Sequence, residues 1–171
     1  MKIENKLDTG PVMKYSKINI TKECSFDSLS VKLSNLAASI IIDTLKTIEN
    51  KKENFIPQDH KMATYANKVD KSEAKIIWTD KAKNIIAKIN AFHSNPGSWF
   101  EFEGSRIKII KAIEIKKAGK PGEVLDNNFT IGCSENAIQI LELKKEGKKT
   151  LSTSDFLKGN SIKIGKILNG V

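Results

Sequence analysis

Leu7-Asp8-Thr9-Gly10-Pro11, close to the start of a 171-residue chain, is the stretch from which the fold is read. Asp, Thr, Gly and Pro in succession turn the backbone and leave one carboxylate on an irregular segment. Loops carry chemistry more often than cores do, so that carboxylate is a site candidate. Only seven residues precede Asp8, too few for a strand, a crossover and a substrate pocket. Either the carboxylate is plain turn chemistry, or the chain begins in the middle of a larger fold. The second is the expectation.

Outward from this turn, Val12 to Thr21 alternates loosely between apolar and polar residues and reads as a strand. Ser25 is placed to cap a helix, with Asp27 in its first turn. Phe26, Leu29, Leu33, Leu36, Ala37, Ile40, Ile41, Leu45 and Ile48 then recur every three or four residues, an amphipathic stripe running to about Asn50. One strand and one helix cannot bury such a stripe, so it calls for a partner sheet. Lys51 to Ser72 lacks periodicity and contains Pro57, and reads as a connector. Beyond it, Thr79 or Asp80 is expected to start a helix with Ala82, Ile85, Ile86, Ile89 and Phe92 on one face, stopped by Asn95-Pro96-Gly97. Trp99–Glu103 and Arg106–Lys111 read as a hairpin turning through Gly104-Ser105. Short strands at Gly122–Leu125, Phe129–Cys133 and Ala137–Leu143, a helix Ser154–Lys158 and a last strand Ile162–Gly165 complete a small β-barrel.

Composition narrows the function classes. The chain is 39% hydrophobic with a net charge of +9, a mean hydropathy of −0.34 and a pI near 9.4. Its densest apolar patch, Ala37 to Ile42, is short for a membrane span, and no apolar core follows Met1-Lys2-Ile3-Glu4 as in a signal peptide. Cys24 and Cys133, without CxxC spacing, read as isolated buried thiols of a reducing cytoplasm, and two His with two Cys make no metal site. Residues 1–73 carry a net +2 and residues 74–171 a net +7, so the basic excess is C-terminal. That asymmetry suits a polyanionic partner, although a lysine-rich proteome would give the same excess.

Four stretches together resemble methionyl-tRNA formyltransferase over nearly the whole chain. Leu7-Asp8-Thr9-Gly10 is similar to the family's Gly-Leu-Asp-Thr-Gly, with Lys6 where Gly is usual. Pro57-Gln58-Asp59, Ala63-Thr64-Tyr65-Ala66 and Lys68 resemble its P-Q-D…A-T-Y-A-x-K segment, with Trp78 following. Ala91-Phe92 and Pro96-Gly97 match A-F-N-P-x-P-G, except that His93-Ser94 replaces Asn-Pro. Gly147-Lys148-Lys149, Ser152 and Asp155-Phe156-Leu157 resemble the G-K-K…D-F-L ending.

The resemblance implies an α+β chain: residues 1–50 as the tail of a Rossmann-like α/β formyltransferase domain, 51–72 as linker, and 73–171 as an OB-like β-barrel that helps hold tRNA. It implies formyl transfer from 10-formyltetrahydrofolate to the amino group of methionyl initiator tRNA, in a cytoplasmic translation-initiation enzyme, monomeric in its full-length form. In that chemistry an Asn stabilises the oxyanion and a His with an Asp partner handles protons. Asp8 matches the Asp; the Asn-x-His segment and folate-binding strands would lie upstream of Met1, and neither His60 nor His93 replaces them. This chain alone is then expected to be inactive. Lys148 and Lys149 read as a phosphate-contacting edge or a solvated turn, and Lys51, Lys52 and Lys61 as tRNA contacts or a soluble linker. Trp78, Trp99, Phe100 and Phe102 are expected in the barrel core, and Tyr65 as an interdomain packing anchor. Three rivals remain: a sugar-nucleotide formyltransferase, a non-catalytic RNA-binding remnant, and an aspartic-protease half. The protease half shares Asp-Thr-Gly, but Lys6 and the long helix argue against it.

Overall fold

The computed structural model of the chain describes residues 1–168. Two compact units are present: Met1–Thr21 with Ser28–Lys68, and Lys22–Asp27 with the chain from Val69 onward.

The first unit contains one long helix, α1 (Phe26–Glu49), whose first two residues group with the second unit. The three-to-four spacing of its apolar residues forms the helix as expected, with Asp27 in the first turn and Lys46 in the last complementing its dipole. None of its residues is buried: Leu33, Ile41, Leu45 and Ile48 are all exposed. By length and composition α1 is long and apolar enough to cross a membrane, which the short patch Ala37–Ile42 does not suggest. Lys32 and Asp43 lie within it, however, and its apolar residues form a stripe of the kind that packs on a sheet. The strand expected over Val12–Thr21 does not form. Among the described residues only Val12 of this segment makes a bridge, to Ile56, and the rest finds no ladder partner there to take its backbone groups.

The connector holds two short 3-10 turns, His60–Met62 and Lys71–Ala74. Asp70 accepts from the Ser72 amide while Glu73 accepts from the Asp70 amide, a reciprocal cap that starts the second turn.

In the second unit, α2 (Ala82–Phe92) buries Ala82, Ile85 and Ile89 on the face expected. It begins at Ala82 and not at Thr79 or Asp80, because the Asp80 carbonyl is taken by Ser134 N and the first intrahelical bond is accepted by Lys81 O from Ile85 N. The hairpin β1 (Trp99–Phe102) and β2 (Ser105–Ile115) turns one residue earlier than expected, through Glu103-Gly104. Both residues have positive φ, 50° and 70°, the pairing that lets a two-residue turn follow strand twist. Strands β3 (Thr130–Gly132), β4 (Ala137–Lys145) and β5 (Thr150–Ser152) follow. The five strands pair antiparallel in the order β1-β2-β4-β3, with β5 also on β4, and Lys75 adds a parallel bridge to Trp99. The register of β2 against β4 shifts on either side of Lys111, a bulge that bends the long strand.

Gly122–Leu125 and Ile162–Gly165 are not strands. Isolated bridges represent the first, Glu123 with Ile167 and Val124 with Ile131, the run starting from a turn at Gly122 (φ 81°), and the second ends in a turn at Ile164-Gly165, with Gly165 at φ 83°. Helix α3 (Thr153–Gly159) is capped by Ser152, which accepts from Asp155 N. The core lies between α2, α3 and the sheet. Its axis is aromatic: Trp78, Phe100, Phe129 and Phe156 follow one another at centroid distances of 5.7, 6.2 and 6.3 Å. Trp78, Phe100 and Phe102 are buried as expected, whereas Trp99 is only half-buried. Strand alternation is the reason: Phe100 and Phe102 face inward, so Trp99 faces out.

Candidate functional site

The Asp8 turn is built from both ends of the first unit. Lys2 N donates to Pro11 O at 3.0 Å, closing the segment on itself, and Thr9 Oγ1 donates to Lys6 O at 3.0 Å. Gly10 is buried with the Lys2 carbonyl pressed against it, leaving no space for a side chain. Val12 and Ile56 exchange two backbone hydrogen bonds of 2.9 Å. Two residues after Ile56, Gln58 Nε2 donates to Asp8 O at 2.9 Å and to Gly10 O at 2.7 Å. The carboxamide thus satisfies carbonyls on both sides of Thr9 and holds the turn from the connector.

Asp8 itself adopts φ 54°, a left-handed conformation that Asp tolerates better than most residues, and its side chain is exposed. Beside it opens a cleft of about 610 Å³ lined by Glu4, Asn5, Lys6, Thr9, His60 and Tyr65. Tyr65 is 93% exposed. A free carboxylate on a turn fixed at four points is suited to orienting an imidazole or accepting from an amine. Two of the stretches singled out in the sequence, Leu7–Gly10 and Pro57–Asp59, therefore meet in space. The role of Gln58 was not read from the sequence, because nothing local marks a carboxamide whose acceptors lie 48 and 50 residues away.

Of the lysines expected to meet RNA, Lys61 lies in the 3-10 turn His60–Met62 and the other four on two further features. Lys51 and Lys52 close the C-terminus of α1, donating through their amides to Ile48 O and Thr47 O, with Lys51 at φ 52°. Lys148 and Lys149 sit in the β4–β5 turn, where Lys148 N donates to Lys145 O and Gly147 supplies a φ of 71°. All four are exposed.

His93 and Ser94, the pair departing from the resembled family, have a joint use. His93 Nδ1 lies 3.0 Å from Asp27 Oδ2, and Ser94 Oγ donates to Asp27 Oδ1 at 2.8 Å. Asn90 Nδ2 donates to Lys22 O, tying the same short segment down. The Ser94 hydroxyl, then His93, hold the Asp27 carboxyl below the usual range. Cys133 is buried as expected, whereas Cys24 is only half-buried. Burial pushes the Cys133 thiol up to about 11, which removes it as a nucleophile near neutral pH.

Residues 68–161 match the family described as formyl transferase, C-terminal domain, and the chain belongs to that family. Among its curated relatives, the methionyl-tRNA formyltransferase of Pelagibacter ubique is 41% identical over 172 residues, spanning 100% of this chain and 56% of the relative. That of Bradyrhizobium diazoefficiens is 37% identical over 169 residues, 96% of this chain and 54% of its own. The chain thus spans about half the length of the relatives it matches, and the matched half is their C-terminal part. Among solved structures, HypX from Aquifex aeolicus in complex with tetrahydrofolic acid superposes with a TM-score of 0.68 at 20% identity, covering 95% of this chain and 32% of that one. An N-formyltransferase from Helicobacter canadensis, in complex with folinic acid and dTDP-3-aminofucose, gives 0.65 at 18%, covering 81% and 52%.

Proposed function

We propose that this chain is the C-terminal portion of a methionyl-tRNA formyltransferase, which moves a formyl group from 10-formyltetrahydrofolate to the amino group of methionyl initiator tRNA. The observation that carries the reading is the pairing of family membership over residues 68–161 with an Asp8 turn braced by Gln58 in the preceding unit. Asp8 is the catalytic carboxylate: it orients the histidine that takes the amine proton as the nitrogen attacks the formyl carbon. The asparagine that stabilises the oxyanion, that histidine and most of the folate site come from the part of the enzyme matching the N-terminal half of the relatives. The exposed apolar stripe of α1 supports the same assignment, as the last helix of a Rossmann-like domain awaiting its sheet. Residues 51–72 act as linker. The antiparallel sheet, extended by the bridges at Val124 and Glu123, forms an OB-like barrel. Lys148, Lys149, Lys51 and Lys52 contact tRNA phosphates. The full-length enzyme is a cytoplasmic monomer acting in translation initiation.

The sugar-nucleotide alternative draws on the Helicobacter canadensis structure, whose identity to this chain is 18%. The relatives at 41% and 37% favour the tRNA substrate.

Two measurements test the proposal. The chain should bind initiator tRNA with an affinity falling steeply between 50 and 200 mM salt, by about 0.7 to 0.9 log units per log unit of salt for each phosphate neutralised, and should ignore a dTDP-amino sugar. Preference for the sugar nucleotide would reverse the assignment. Joined to the N-terminal part of the Pelagibacter ubique relative, the chain should support formylation. There Asp8→Asn should lower kcat by orders of magnitude with little change in tRNA affinity; full activity of that variant would remove Asp8 from the chemistry.

A further inference from the structure

Arg106 is the one arginine among 29 basic residues, and its position is not casual. Its guanidinium carbon lies 4.4 Å from the centroid of the Trp99 ring, and Lys75 Nζ lies 5.8 Å from the same centroid. Stacking on an indole holds a guanidinium by cation–π attraction while its in-plane N–H edges stay free for a bidentate acceptor. Lysine cannot offer that fork, which gives a physical reason for an arginine here in a chain that otherwise uses lysine.

Trp99, Arg106 and Lys108 line a cleft of about 260 Å³, with Lys71, Pro96 and Glu146 around it. Lys108 Nζ donates to Pro96 O at 2.6 Å, which fixes that ammonium at the cleft wall. Among the described residues no ion pair engages Lys71, Arg106 or Lys108. Glu101, opposite Arg106 in the β1–β2 register, and Glu146 leave the guanidinium unbridged. Across the sheet, Trp99 pairs in register with Lys108, and Lys108 with Lys144. Like charges directly opposite on neighbouring strands are unfavourable in the free protein, and an anion lying over them relieves that repulsion. The row is longer than one phosphate, so its match is a polyanion with regularly spaced charges.

We propose that this outward face of β1, β2 and β4 is a phosphate-binding site for the RNA backbone. Arg106 grips one phosphate bidentately, and Lys71, Lys108 and Lys144 flank it. The inference rests on the tRNA-binding reading above and gives it a location that the lysine runs in the sequence do not indicate.

The test is a fluorescence-anisotropy titration of labelled initiator tRNA with this chain between 50 and 200 mM KCl. Arg106→Gln keeps the stem on Trp99 and removes the charge. It should weaken binding about tenfold at the lower salt and reduce the log–log salt slope by about one. Arg106→Lys should recover only part of the loss. Lys71→Glu, which lies off the sheet and leaves strand pairing intact, should also weaken binding several-fold. If wild type binds tRNA and both Arg106→Gln and Lys71→Glu bind within twofold with unchanged slopes, the site is overturned while the tRNA reading stands. If wild type binds no tRNA, that reading falls and takes the site with it. Inorganic phosphate at matched ionic strength should not displace the tRNA; full displacement would make this a small-anion site and overturn the RNA assignment.

Discussion

Gln58 Nε2 stands 2.7 Å from the carbonyl oxygen of Gly10, and the same nitrogen reaches Asp8 O at 2.9 Å. A connector side chain therefore sets the shape of the turn that presents the candidate catalytic carboxylate. Two hydrogen bonds of about 1 kcal/mol each set the scale. Gln58→Ala should speed amide exchange at Lys2 and Val12, whose N–H groups are bonded across this turn, by about tenfold or more. Exchange at wild-type rates would mean that the Lys2–Pro11, Thr9–Lys6 and Val12–Ile56 hydrogen bonds hold the turn without Gln58.

Gly10 and Gly104 need glycine for different reasons. At Gly10 a Cβ would overlap the Lys2 carbonyl, whereas at Gly104 nothing lies within 4 Å but φ is 70°. Gly10→Ala should lift the N-terminal segment away and speed trypsin cleavage after Lys2 and Lys6, which are exposed but whose backbone is hydrogen-bonded in the turn. Gly104→Ala should leave that digestion unchanged and destabilise the hairpin by about 1 kcal/mol. Equal digestion of both variants would contradict this distinction.

Acid should weaken the second unit from its loops. Asp126 feels burial, which raises its pKa, but the Lys117 ammonium and the Thr130 and Asn128 amides outweigh it and bring the carboxyl below its ordinary 3.8. Asp27 is lowered by Ser94 and His93. A lowered carboxylate contributes stability that is complete above about 3.8 and disappears as pH falls through its folded-state value. Thermal midpoints should hold steady from pH 7 to 5 and fall below pH 4. Asp126→Asn should lower the midpoint at pH 6 and flatten the decline below pH 4; an unchanged decline would assign acid sensitivity elsewhere.

The aromatic axis carries the core. Phe100 is fully buried and meets both Trp78 and Phe129 edge-on. Phe100→Ala should cost about 3–5 kcal/mol in denaturant unfolding of the second unit. A loss below 1 kcal/mol would show that α2 and the sheet collapse into the space.

Much of this architecture was legible because it is local. Three-to-four spacing from Phe26 to Ile48 and from Ala82 to Phe92 specified α1 and α2. Alternation around Gly104 marked the hairpin to within one residue, and the stop at Asn95-Pro96-Gly97 was visible in composition. Val12–Thr21 shows the limit, since alternation makes a strand possible and only a paired neighbour makes it one.

What the sequence by itself determined is helix periodicity, the turn at Asp8, the family likeness and the C-terminal excess of positive charge. Tertiary structure alone decided that Gln58 braces Asp8, that Asp27 is held by His93 and Ser94, and that Trp99 turns outward to carry Arg106. The physical reason is range. Backbone preference and apolar spacing act over a few residues, whereas a carboxamide, a carboxylate or a guanidinium acquires its role from atoms that only the folded chain brings within about 3 to 5 Å.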